Sequence, residues 1–218
     1  MEYVFSQAEK DAALAFARAR AEKDGAYYTA RGNKEAKVSA DVTNGVLGEF
    51  AARALLQNTF PGAEVSEVDF TVHKVGKKSY KPDFTVTVGD YAMGVQVKMH
   101  VCGRYTNIRP AFLFQKPGIG KHRDREILHI QPGGSSSELF VGVLGFVTDP
   151  DKIKSDGLVH TDAVADEATV IGPFSMQTIV DMNLWQEPDA LKVRQSGKKR
   201  ALVAAELCQK VEAIQGFA

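Results

Sequence analysis

The clearest hydrophobic pattern in the chain belongs to two short segments that a two-residue turn separates. Residues 84–88 (FTVTV) and 91–98 (YAMGVQVK) are rich in β-branched and aromatic side chains, which favour strands. The Gly-Asp pair between them suits a primed turn. We therefore predict a β-hairpin in which Asp83, just before the first strand, lies opposite Gln96 on the second.

Two helices are predicted before this hairpin. The sequence SQAE forms a capping box and begins a helix over residues 6–24, which an Asp-Gly pair ends. Residues 26–40 show no firm period and are predicted to form a loop. Apolar side chains at helical spacing predict a second helix over 41–58, and a Pro-Gly pair stops it. Gly45 and Gly48 lie inside this helix, where we expect them to permit close packing against a sheet.

Further strands and helices are predicted around the hairpin. Strands are expected at 65–75, at 127–131 and, as a buried apolar run, at 139–147; helices are expected at 175–185 and 198–215, and a polar, basic loop at 100–126. The fold class is therefore α/β (α+β), with a mixed β-sheet that contains the hairpin and is flanked by helices.

The length and composition fit one globular domain. The chain has 218 residues, and 44% of them are hydrophobic. We place the core at about 41–148, within a single domain over 1–218, with the helix at 6–24 and the helices within 175–215 as additions.

The sequence also bears on the compartment. It has no apolar run long enough to span a membrane, and its first residues lack the apolar region of a signal peptide. Its two cysteines, Cys102 and Cys208, form no CxxC pair and indicate no disulfide framework. We therefore expect a cytoplasmic protein with no membrane partner.

Charge is distributed unevenly along the chain. The formal net charge is zero, but residues 74–125 contain eleven Lys or Arg residues against three Asp residues. A basic stretch around the hairpin suits a phosphate backbone, so we expect DNA as a partner. The alternative is a solvated surface with no specific role. The basic residues that we expect to contact DNA are Lys81, Arg104, Lys121, Arg123 and Arg125.

The hairpin also predicts a chemical site. Side chains alternate between the faces of a strand, so Gln96 and Lys98 share a face, and Asp83 is expected beside Gln96. A carboxylate oxygen and an amide oxygen can hold a hard cation such as Mg²⁺. A nearby ammonium group can stabilise charge that develops on a phosphoryl group.

This arrangement resembles the PD-(D/E)xK nuclease superfamily, in the variant in which Gln replaces the second acid. The matching residues are Pro82, Asp83, Gln96 and Lys98. Members often have a Glu on the helix before the hairpin in a Gly-x-x-Gly-Glu context, and Glu49 occupies that place in this chain.

The resemblance implies a restriction-endonuclease-like core and a metal-dependent DNA endonuclease of the restriction, repair or phage and mobile-element type. It implies that Asp83, Gln96 and Glu49 bind Mg²⁺, for which Mn²⁺ is expected to substitute, and that Glu49 does so directly or through water. Lys98 would orient the attacking water, act as a base or stabilise the transition state. The number of metal ions stays open, as does the choice between DNA and RNA.

Other functions were weighed against this one. The chain could be a catalytically inactive nuclease-fold protein that binds DNA, or an unrelated small α/β protein in which the motif occurs by chance.

The sequence GIGK at 118–121 lacks the first Gly and the Ser or Thr of a phosphate-binding loop, and no zinc-binding His pair is present. A homodimer is compatible with double-strand cutting, although no dimer surface can be identified in the sequence.

Overall fold

A computed structural model describes residues 1–29, 35–72, 82–103, 111–115, 138–156, 158–176, 179, 184 and 199–203 of the chain. In chain order, its elements are β1 (Glu2–Val4), α1 (Gln7–Thr29), α2 (Glu35–Thr59), β2 (Glu64–Val65), β3 (Phe84–Val88), β4 (Tyr91–Gly103), β5 (Ala111–Gln115), β6 (Leu139–Val147), a 3-10 turn (Pro150–Lys152), β7 (Glu167–Ser175) and β8 (Lys199–Val203).

The main sheet is six-stranded and mixed, in the order β1-β7-β6-β4-β3-β2. Its central pair, β4 and β6, is parallel, and each of the other neighbouring pairs is antiparallel. A second sheet consists of β5 and β8, which pair antiparallel. The six-stranded mixed sheet and the helices α1 and α2 confirm the predicted α/β (α+β) class.

The hairpin of β3 and β4 has the predicted register. Phe84 pairs with Val95 and Val88 pairs with Tyr91. Gly89 in the turn has a φ of 59°, as a primed turn requires and as glycine adopts without strain. β4 is longer than predicted and continues to Gly103, because its second half pairs with β6 rather than with β3.

The hydrophobic core lies between α2 and one face of the main sheet. The buried side chains of α2 include Val46 and Leu47, and those of β4 include Val95 and Val97. The position of Gly48 brings the helix close to the sheet, because a Cβ there would lie 3.0 Å from the Cβ of Met99. The predicted role in close packing is therefore confirmed for Gly48 and was wrong for Gly45, which is exposed.

A buried amide fixes α2 to the connection between β6 and β7. The Nδ2 of Asn44 donates to the carbonyl oxygen of Ala163 at 2.9 Å, and its Oδ1 accepts from the backbone N–H of Ala165 at 3.0 Å. Because both ends of the amide are bonded, Asn44 can be buried without an unsatisfied polar group.

Aromatic rings pack on the opposite face of the sheet. The ring centroid of Phe140 lies 5.4 Å from that of Phe112 and 6.2 Å from that of Phe174. Gly142 makes room for this packing, since a Cβ there would lie 2.6 Å from the ring of Phe112. Phe112 is thus buried in the packing on this face of the sheet.

The predicted boundaries of the first two helices were wrong. α1 does not end at the Asp-Gly pair but continues to Thr29, and α2 begins at Glu35 rather than at residue 41. Most of the loop predicted at 26–40 is therefore helical. A glycine inside a helix costs only about 1 kcal/mol, which neighbouring helical residues and packing between the two helices can offset.

The strand predicted at 65–75 was also wrong over most of its length. Strand pairing is limited to Glu64–Val65, and the described residues from 66 to 72 are irregular. Val65 and Val68 are both buried, a spacing of three that an extended strand cannot give to one face. The Oγ of Ser66 accepts the N–H of Thr85, which ends the regular pairing with β3.

Tertiary pairing overrode two further predictions. The loop predicted at 100–126 contains the end of β4 and the strand Ala111–Gln115, and the helix predicted at 198–215 contains the strand Lys199–Val203. These two short strands pair with each other, a long-range contact that local periodicity does not reveal. The buried strand predicted at 139–147 is confirmed as β6.

Two predictions fall partly or wholly outside the described residues. The strand at 127–131 lies outside them entirely. At the helix predicted over 175–185, Ser175 belongs to β7, and Met176 and Ile179 are helical. Among the residues that the structure describes, no helix combines the length and apolar character that crossing a membrane requires.

The two glycines of α2 offer a matched test of this packing. At Gly45 an added Cβ would meet no atom within 4 Å, so Gly45→Ala should raise the free energy of unfolding by about 0.5–1 kcal/mol through helix propensity. Gly48→Ala should lower it by about 1 kcal/mol or more, because overpacking against Met99 exceeds that gain. Urea denaturation of both variants measures the two effects, and equal shifts in the same direction would contradict the packing.

Candidate active site

The Asp83 carboxylate lies at the open end of the hairpin, beyond the last pair of β3. Its Oδ2 accepts hydrogen bonds from the Nε2 of Gln96 and, at 2.7 Å, from the backbone N–H of Val97. Because β3 pairs only from Phe84 onward, the backbone N–H of Val97 has no partner on β3. The carboxylate of Asp83 accepts its hydrogen bond instead. The structure thus brings Asp83 and Gln96 together as the sequence predicted.

The amide of Gln96 faces Asp83 with its donor. Its Nε2 bonds Asp83 and is also 3.3 Å from the carbonyl oxygen of Val97. For its Oε1 to share a cation with Asp83, the terminal amide would turn by about half a rotation. That torsion is broad and roughly two-fold, so the rearrangement needs no backbone movement.

Glu49 reaches the same region from α2. It is half-buried, and it follows Gly48, the residue through which the helix packs against β4. Burial, together with the negative charges of Asp83 and Asp69, raises the pKa of the Glu49 carboxyl to about 8, and the positive charge of Arg20 opposes this shift. Near neutral pH the side chain therefore carries a proton for much of the time.

Asp69 is a residue that the sequence prediction missed. It lies in the irregular segment between β2 and β3, and its Oδ1 accepts the backbone N–H of Thr71 at 2.8 Å. This is an Asx turn, which the Asp-x-Thr sequence permits but does not require. The strand predicted over this segment concealed the turn. The charge of Asp69 is close enough to act on Glu49.

Lys98 is placed by the alternation of β4. Val97 points into the core beneath α2, so Gln96 and Lys98 lie on the other face of the strand. Lys98 is half-buried, and its register partner on β6 is Gly142. The structure thus places Lys98 on the face of Gln96, as predicted, whereas Glu49 approaches from the opposite, helix-covered face.

Asp83 joins these two sides of the sheet. Its carboxylate accepts an N–H that points along the sheet, so it lies near the plane of the strands rather than above either face. It is in contact with Gln96 and close enough to Glu49 to act on its charge. The centre of the candidate site is therefore Asp83.

The basic residues that we expect to contact DNA lie outside the described residues. They are Lys81, Arg104, Lys121, Arg123 and Arg125. Within the described ranges, no group of three or more His, Cys, Asp or Glu side chains is positioned to hold a metal ion. The ligand set that the sequence predicts combines the carboxyl groups of Asp83 and Glu49 with the amide of Gln96.

The raised pKa of Glu49 predicts how stability depends on pH. In the unfolded chain this carboxyl ionises near 4.5, whereas in the fold it keeps its proton up to about 8. The native state then binds more protons, so the wild type loses stability as pH rises through this window. Glu49→Gln cannot ionise, and its advantage should grow by on the order of 3 kcal/mol between about pH 5 and about pH 8.5.

Urea denaturation of both proteins in EDTA at these two pH values measures the effect. A constant difference between the wild type and Glu49→Gln would contradict a buried carboxyl beside other acids.

The chain was also compared with known proteins. A scan against protein-family models, a search of curated proteins and a search of solved structures each found no match.

Proposed function

We propose that this protein is a metal-dependent nuclease that hydrolyses phosphodiester bonds in DNA. The observation that supports this most strongly is the position of Asp83, bonded to Gln96 and close to Glu49 at the open end of the hairpin. These are the three residues that the PD-(D/E)xK resemblance names as ligands. They come from separate parts of the sequence, so their proximity is a property of the fold.

The donor set fits a hard cation. Two carboxylates and, once its amide has turned, the Oε1 of Gln96 supply oxygen atoms, the ligands that Mg²⁺ and Mn²⁺ prefer. Burial and, after it, the negative charges of Asp83 and Asp69 raise the pKa of Glu49, and a divalent ion beside it would favour the ionised carboxylate. Asp83, Gln96 and Glu49 would hold the ion, Glu49 directly or through water.

The chemistry that such an ion supplies when bound is polarisation of the scissile phosphate and activation of a water molecule. Asp83 provides a fixed carboxylate, because the hydrogen bond from the backbone N–H of Val97 restrains its orientation. Lys98 contributes a compact positive charge on the face that carries Gln96. It orients the attacking water, accepts a proton from it or stabilises the charge that develops on the phosphate.

The basic stretch at 74–125 supports DNA as the polymer that is bound. With only two cysteines the sequence indicates no disulfide framework, which agrees with our proposal of a reducing, cytoplasmic setting. A C₂ dimer would explain double-strand cutting if it occurs, since one site cuts one strand.

Nicking of supercoiled plasmid in Mg²⁺ or Mn²⁺ tests the proposal. Asp83→Asn should reduce the nicking rate by at least about 100-fold, because it removes the charge that holds the ion while keeping an oxygen for the N–H of Val97. Lys98→Ala should reduce it to a similar extent. Asp90→Asn, in the exposed hairpin turn, makes the matched control and should cut like the wild type.

Three outcomes separate the proposed function from its rivals. Equal nicking by the wild type, Asp83→Asn and Lys98→Ala would contradict the site. DNA binding without cleavage in either metal would favour an inactive nuclease fold. Unchanged electrophoretic mobility with DNA at low salt would favour an α/β protein with no role on nucleic acid.

Replacing Gln96 with Glu should raise the affinity for metal and lower the stability of the metal-free protein. Gln96→Glu adds a negative charge to the ligand set, so the Mg²⁺ concentration for half-maximal nicking should fall roughly tenfold. Without metal, the same change removes the N–H group that donates a hydrogen bond to Asp83 and places two carboxylates side by side. It should then cost about 1 kcal/mol or more of stability in EDTA. Metal titration of nicking and urea denaturation measure the two effects, and a higher Mg²⁺ requirement would oppose the proposed ligand set.

A further inference from the structure

One face of α1 lies over the segment that contains Asp69. Phe16, Arg20 and Lys23 recur at the spacing of a single helix face. The ring of Phe16 lies 5.7 Å from that of Phe70, and the Nζ of Lys23 donates to the carbonyl oxygen of Val72 at 3.5 Å. Arg20 lies between these two contacts along the helix and is therefore next to residues 70–72.

The same face of α1 borders the candidate active site. Phe70 also packs against Phe50, with ring centroids 6.0 Å apart, and Phe50 follows Glu49 on α2. The positive charge of Arg20 acts on the carboxyl of Glu49, which agrees with this placement. A helix that the sequence prediction treated as an addition to the core thus contributes a guanidinium group to the edge of the site.

The ring of Phe70 is held in place but remains exposed. Phe16 contacts it edge-on, with an interplanar angle of 76°, and Phe50 contacts it at 48°. Even so, 42% of Phe70 is accessible to solvent. Two neighbouring rings restrict its motion, so stacking a flat group on it would cost little conformational entropy.

We infer that Arg20 and Phe70 bind an unpaired stretch of the nucleic acid strand beside the carboxylates, with Arg20 on a phosphate and Phe70 against a base. This inference rests on the proposed function and specifies its substrate. An exposed aromatic ring next to basic side chains is the combination that single-strand-binding surfaces use. In a duplex, each base is stacked between its neighbours and offers no free face to Phe70. The substrate class is therefore a single strand, a frayed end or a flap.

The acidic residues bear on when this binding occurs. The negative charges of Asp69 and Asp83 would repel a phosphate in the absence of metal, and the positive charge of Arg20 opposes only part of them. A divalent ion in the site balances the carboxylates, so strand binding should strengthen when such an ion is present.

Fluorescence anisotropy with a labelled 20-nucleotide single strand and its matched duplex tests the inference. The buffer contains Ca²⁺, whose longer distances to oxygen suit binding more than catalysis. Phe70→Leu should weaken single-strand binding about tenfold and leave duplex binding nearly unchanged, whereas Phe70→Tyr keeps the ring and should bind like the wild type. Arg20→Gln should weaken binding and reduce the slope of log Kd against log salt by about 1.

Two control variants come from exposed positions of the same residue type or class. Arg18→Gln lies on α1 two residues from Arg20, and Tyr91→Leu removes an aromatic ring that is 72% exposed at the hairpin turn. Both should bind single strands like the wild type. Thermal unfolding of each variant checks that changes in binding do not arise from loss of the fold.

The outcomes distinguish this inference from the proposed function. If the wild type nicks plasmid but Phe70→Leu and Arg20→Gln bind single strands normally, the inference is wrong and the nuclease proposal stands. If these variants lose single-strand binding while the wild type cuts no substrate in Mg²⁺ or Mn²⁺, the binding surface stands and the nuclease proposal is wrong. A wild type that binds neither single strand nor duplex refutes both.

Discussion

The candidate site depends on one hydrogen bond in particular, from the backbone N–H of Val97 to the carboxylate of Asp83. It forms where β3 ends and β4 continues. A side chain next to β3 there accepts a hydrogen bond from a backbone N–H of β4. A buried or half-buried ladder N–H needs a partner, and here the partner is an acid. The fold thereby fixes a negative charge at the edge of the sheet. The same carboxylate accepts a hydrogen bond from the Nε2 of Gln96. Asp83 is thereby linked to the face of β4 that also carries Lys98.

Close packing of α2 brings the second acid to this edge. The absence of a side chain at Gly48 lets the helix backbone approach Met99, and the next residue of the helix is Glu49. The helix covers one face of β4, whereas Gln96 and Lys98 occupy the other. Asp83 can contact Gln96 and act on the charge of Glu49 because the pairing of β3 begins only at Phe84, which leaves one side of β4 open beyond the hairpin.

The sequence predicted the parts of this arrangement that local chemistry determines. The turn and the alternation of the two strands were enough to pair Asp83 with Gln96, and the apolar run predicted β6 correctly. Contacts between distant segments escaped prediction. The pairing of β5 with β8 is long-range, so neither strand could be identified from its own periodicity. Asp69 was missed for a related reason, since the alternation of its segment predicted a strand that the Asx turn and the contact of Ser66 with β3 interrupt.

Electrostatics connects the site to the helix that precedes it. Burial and the negative charges of Asp83 and Asp69 raise the pKa of Glu49, so this carboxyl stays partly protonated near neutral pH. Such an arrangement lowers the stability of the protein without metal, and a stability optimum alone would favour an apolar residue at this position. In the proposed metal-bound state, a divalent ion would offset this cost, and Arg20 would lie beside a site whose negative charge the ion largely balances. In that state the guanidinium group of Arg20 would be best placed to bind a phosphate. Phe70, which two other rings hold in position, presents a flat apolar surface beside it.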